Sequence, residues 1–97
     1  MPELNIHRDH TLGLKAARLA AQRWAHEAER EWGMKCRTES GRTQDQIHFE
    51  RSGVSGCLTV HGQHFDLQVK LGFMLGTLAG RIEAQIRQSL DDLLGQG

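Results

Sequence analysis

The chain has one proline, two cysteines and no tyrosine in its 97 residues. With the proline confined to position 2, no helix or strand interior is broken by a ring that fixes φ and removes an N–H. Cys36 and Cys57 are too few for a disulfide framework, so stability falls to a hydrophobic core, and a reducing compartment is the simplest setting. Twelve Lys and Arg are balanced by twelve Asp and Glu. That balance provides no concentrated basic surface of the kind that nucleic acid or an anionic membrane needs. No apolar run reaches the ~18 residues of a membrane span, and the opening MPELNIHRDH lacks the apolar stretch of a signal peptide. These absences predict a cytoplasmic protein with no nucleic-acid partner and no membrane span.

Apolar residues make up 38% and charged residues 25% of the chain, a globular rather than a disordered composition. One domain across residues 1–97 is expected. Residues 3–9 alternate weakly through Leu4 and Ile6 and predict a short edge strand. Thr11 offers an N-cap oxygen to the segment 12–33, where Leu14, Ala17, Ala21, Trp24, Ala28 and Trp32 fall on one helical stripe. Arg18, Gln22, Glu29 and Arg30 fall elsewhere on the wheel, and Gly33 supplies a C-terminal stop. Met34, Cys36 and Thr38 alternate in the next strand, and residues 40–46 read as a polar turn. Ile47 and Phe49 mark a further strand, with a glycine-punctuated connection over 52–56. Residues 57–72 predict a hairpin whose two-residue loop, Gly62-Gln63, suits a type II′ turn. In that register Val60 faces Phe65, Leu58 faces Leu67 and His61 faces His64.

From Phe65 to Leu71 the apolar period is two. From Leu75 through Leu78, Ile82 and Ile86 it becomes three to four, which predicts a helix over about 73–94. The expected fold is α+β: an antiparallel sheet of four to five strands with two long amphipathic helices on one face, in the order β-α-β-β-β-β-α.

Few residues suggest chemistry. His61 and His64 are weak candidates for metal ligands, with His48, Glu50 and Asp66 on the same outer face. A polar sheet surface is the simpler account, and no cofactor or metal is expected. His7 and His10 could form an acid–base pair, although a structural role ahead of the helix explains them as well. Cys36 falls on the inward face and Cys57 on the outward one, and Cys57 has no assignable base or oxyanion site. Gly72, Gly76 and Gly80 recur at four-residue spacing, where each costs about 1 kcal/mol relative to alanine in a helix interior. Either they let the second helix lie close against the first and Trp24, or they form, with Phe73 and Met74, a contact surface for a partner. A homodimer and a groove for an apolar ligand are both versions of that second case.

The chain resembles the bacterial polyhydroxyalkanoic acid system family, associated with polyhydroxyalkanoate granule genes. The resemblance is carried by His10-Thr11-Leu12-Gly13 and Ala17-Arg18, and in the middle by Phe49, Gly53-Val54-Ser55-Gly56, Leu58 and Val60. Leu71-Gly72-Phe73-Met74-Leu75, Ile82-Glu83 and Leu90-Asp91-Asp92-Leu93-Leu94 complete it. It implies a regulatory or granule-associated role around storage granules; with no catalytic constellation in the residues and with Phe73 and Met74 on the glycine-lined helix, the expected function is a non-enzymatic accessory or regulatory one, through a protein partner or the granule surface. It brings no catalytic residues. The alternatives are a helix-grip module for a small apolar ligand, requiring a cavity of about 300 Å³ or more between the layers, and a metal-dependent enzyme.

Overall fold

The computed structural model describes residues 3–95. Strand β1 (Glu3–Asp9) leads into helix α1 (Leu14–Trp32), followed by β2 (Lys35–Ser40), β3 (Gln44–Arg51), β4 (Val54–His61) and β5 (His64–Leu71). A 3-10 helix (Phe73–Leu78) then runs directly into helix α2 (Ala79–Gly95). The class and element order are those expected from the residues. The five strands form one sheet in the order β1-β5-β4-β3-β2, and every pairing is antiparallel. The chain therefore starts at one edge, crosses through α1 to the far edge, and returns in three hairpins to lie beside its first strand.

Alternation sends Leu4, Ile6, Ile47, Phe49, Leu58, Val60, Phe65, Leu67, Val69 and Leu71 to one face, where all are buried beneath the helices. From α1, Ala17, Ala20, Ala21, Trp24, Ala25 and Ala28 meet this face. Their small side chains bring the helix close, so Trp24 reaches the sheet and lies edge-on to Phe49 at 5.4 Å and to Trp32 at 6.3 Å. From α2, Ile86 and Leu90 are buried, and Asp91 forms an ion pair with Arg8 of β1.

Several local features differ from expectation. α1 starts at Leu14 with Gly13, at φ 82°, as its N-cap and no side-chain cap, so Thr11 does not cap it. A left-handed glycine bends the chain into the helix there, and the Gly13 carbonyl accepts from Ala17 N–H at 2.9 Å. Gly33 does terminate the helix, at φ 66°. Arg18 is not simply solvated: its Nε donates to Asp45 Oδ1 at 3.0 Å, and Asp45 is 4% exposed. The pair ties α1 to the start of β3, so the polar segment 40–46 shortens to a tight turn before Gln44.

The connection at 52–56 shrinks likewise, to Ser52-Gly53 with Gly53 at φ 84°, and Val54-Ser55-Gly56 belongs to β4. Gly56 is glycine for steric reasons. A Cβ there would lie 2.6 Å from Phe49 Cζ and 2.4 Å from the Gln68 carbonyl oxygen, so the ring of Phe49 occupies the missing side chain's place. The β4–β5 hairpin has the expected register. Its Gly62 is not in the left-handed region, however, so the turn is not type II′.

Candidate functional site

Two places collect the residues that sequence reasoning singled out. The first is the junction between β5 and α2. The expected single helix over 73–94 divides there, because its first six residues wind as the tighter 3-10 form. Gly72, Gly76 and Gly80 therefore do not share one α-helical stripe. Gly72 N–H donates to the Gly53 carbonyl at 2.7 Å, and a Cβ on Gly72 would meet Gly53 Cα at 3.3 Å. The close approach is thus between the junction and the β3–β4 turn. Gly76 N–H bonds back to the Gly72 carbonyl at 3.1 Å, and Gly80 faces open space.

Met74 is 83% exposed and Leu78 is 41% exposed, so Leu78 leaves the buried line that continues through Ile86 and Leu90. The side chain of Phe73 lies outside the described residues. Beneath this segment, between α1, α2 and the sheet, is a cavity of about 270 Å³. Its apolar walls include Trp24, Phe49, Val69, Leu75, Ile82 and Ile86, and Arg51 and Gln85 add polar groups. The buried Trp24 indole N–H has no hydrogen-bond partner among the described residues. The cavity is slightly smaller than the ~300 Å³ at which drug-sized pockets begin.

The second place is the outer face of the sheet around Asp66. Pairing of β1 with β5 sets His7 opposite Asp66 and Asp9 opposite His64, while β4 contributes His61 and Thr59 from the other side. His7 Nδ1 donates to Asp66 Oδ1 at 2.5 Å, and its Nε2 donates to Asp9 Oδ1 at 2.8 Å. Both bonds favour the imidazolium, and they raise the His7 pKa above its ordinary value, the Asp66 bond most. His64 Nε2 lies 3.2 Å and His61 Nε2 3.8 Å from Asp66 Oδ2, and the His61 and His64 rings are 4.2 Å apart.

His61, His64 and Asp66 therefore do converge. His48 and Glu50 do not join them, since β3 places His48 opposite Arg37 and Cys57, with its Nε2 3.5 Å from Glu39. The member of this cluster that the sequence assigns elsewhere, to a pair with His10, is His7. Its alternation with Asn5 placed it on an outer face, but only the pairing of the first strand with the last brings it to Asp66.

His7 and His10 do not act as a pair. His10 Nε2 donates to the His61 carbonyl at 3.1 Å, its Nδ1 accepts from Leu12 N–H at 3.2 Å, and its ring lies tilted against Phe65 with centroids 4.6 Å apart. Those partners define a neutral ring, and burial lowers its pKa further. Cys36 and Cys57 lie on opposite faces, paired with Phe49 and His48 respectively. Burial is the main cause pushing both thiols up, which disfavours the nucleophilic thiolate.

Two helices laid over one face of a five-stranded antiparallel sheet, with a cavity between the layers, define a small two-layer α+β protein. Residues 4–94 match the family described as "Putative polyhydroxyalkanoic acid system protein", and the chain belongs to that family. No curated protein and no solved structure matches it. Among the described residues, no helix is long and apolar enough to cross a membrane.

Proposed function

We propose that this protein is a non-enzymatic, cytoplasmic accessory factor of the polyhydroxyalkanoate system that acts by contact with the storage granule. The observation that carries this reading is the exposed apolar edge of the 3-10 segment. Met74 leaves 83% of its surface in solvent and Leu78 is exposed on the same segment, on a chain whose family is named for the polymer. An unbranched thioether side chain adapts to irregular apolar surfaces, as a polyester granule coat would present. Co-sedimentation with purified granules tests the reading. The wild-type chain pellets with granules, and Met74→Glu, which alters only an exposed side chain, reduces the pelleted fraction at least several-fold. A chain that stays in the supernatant and retains no granule protein defeats it.

A second reading, a small apolar-ligand carrier, draws support from the cavity of about 270 Å³ and the unpartnered Trp24 indole N–H. A medium-chain acid that quenches tryptophan fluorescence saturably would favour it, provided Ile82→Phe, which fills the cavity without adding an indole, abolishes the effect.

A further inference from the structure

We infer that His7, His64 and Asp66, with His61 as a fourth donor, form a binding site for one divalent transition-metal ion of the zinc class on the outer face of the sheet. Imidazole with one carboxylate is a donor set that suits zinc, nickel and copper and disfavours the hard cations, which take oxygen ligands. One ligand atom from each of His7, His64 and Asp66 lies within 4.8 Å of the others. Tetrahedral bonds of about 2.0–2.1 Å place ligand atoms about 3.3–3.4 Å apart, so atoms at the wide limit must close by roughly 1.4 Å. The Asp66–His64 separation of 3.2 Å and the Asp66–His61 separation of 3.8 Å already fall near this requirement. Only side-chain rotation remains, because three hydrogen-bonded strands hold the four Cα positions.

The surroundings of His7 point the same way. A metal-bound histidine almost always donates its second ring nitrogen to a carboxylate or carbonyl, which selects the tautomer and aims the ligating nitrogen. Asp9 Oδ1 occupies that position, 2.8 Å from His7 Nε2, and an ion entering between Nδ1 and Asp66 would displace the Nδ1 proton and widen their 2.5 Å separation. Asp9 is thus a positioning residue. A merely polar surface has no need for a histidine ring placed between two carboxylates with two further imidazoles beside it. The ion would join β1 to the β4–β5 hairpin across three strands.

The test uses the full chain without a histidine tag, stripped with chelator and titrated calorimetrically with zinc chloride. One equivalent binds saturably, and magnesium chloride gives no heat. His64→Ala and Asp66→Asn abolish most of the affinity, Asp9→Asn weakens it about 10–100-fold, and His48→Ala, on the same face but outside the cluster, leaves it unchanged. A readout independent of any variant comes from the wild-type imidazole C–H resonances, where those of His7 and His64 shift with one equivalent of zinc. The inference is overturned by non-saturable binding, by shifts confined to His26, His48 or His10, or by a His48→Ala loss equal to that of His64→Ala.

Discussion

The two faces of the sheet are built from the same strands by opposite means. On the inner face, specificity comes from shape: Phe49 fills the space above Gly56, and Trp24 stands edge-on to Phe49. On the outer face it comes from charge and hydrogen bonding around Asp66, among side chains about one-third to one-half exposed. Close packing tolerates little volume change, whereas partly solvated ion pairs contribute little to stability. The inner face should therefore decide whether the chain folds. The outer face can change with little effect on the fold, which leaves it free for recognition.

The largest effect should follow from Trp24→Ala, which removes the core's largest fully buried side chain. A loss of about 3–5 kcal/mol in urea denaturation is expected, and a loss below 1 kcal/mol would break the contrast between faces. Gly56→Ala comes next, at about 1–3 kcal/mol, because the new methyl meets the Phe49 ring and the Gln68 carbonyl. A neutral result there would mean that Phe49 has room to move. Gly80→Ala has the opposite sign. Its Cβ would enter open space, so a gain of about 0.5–1 kcal/mol is expected in the same assay, unless the position is used by a partner and granule binding falls instead.

The smallest effect is the most discriminating one. Histidine C–H resonances followed against pH in chelator should place the His7 midpoint above 6.5 and that of His10 below 6.5. His7 protonates more readily folded than unfolded, so its contribution to stability is present below pH 6.5 and is lost as pH rises through its folded value. His10 works the other way. Its contribution is present above pH 6.5 and disappears as pH falls toward its lowered value. Two midpoints on the same side of 6.5 would remove the distinction between exposed and packed histidines.

Much of the inner face is legible in the sequence because alternation is local. Val60 opposite Phe65 and Leu58 opposite Leu67 follow from one two-residue turn. Gly56 is not legible in that way. A glycine between Ser55 and Cys57 looks like a connection until Phe49 is seen lying over it. The break in the C-terminal helix is similarly hidden, since apolar spacings of three and four suit both 3-10 and α winding at Leu75 and Leu78. For the candidate site, His61, His64 and Asp66 can be gathered from the hairpin register alone. His7 cannot, because nothing near β1 indicates which strand it will join.

That pairing of first strand with last also has a kinetic consequence. The meander from β2 to β5 closes through short turns, but His7 and Asp66 are 59 residues apart in sequence. Bringing them together costs loop-closure entropy that only the completed sheet repays. β1 is synthesised first, yet it has no partner strand until β5 has been made. The N-terminal strand should therefore dock late in folding, and the contact between His7 and Asp66 would report that the sheet has closed.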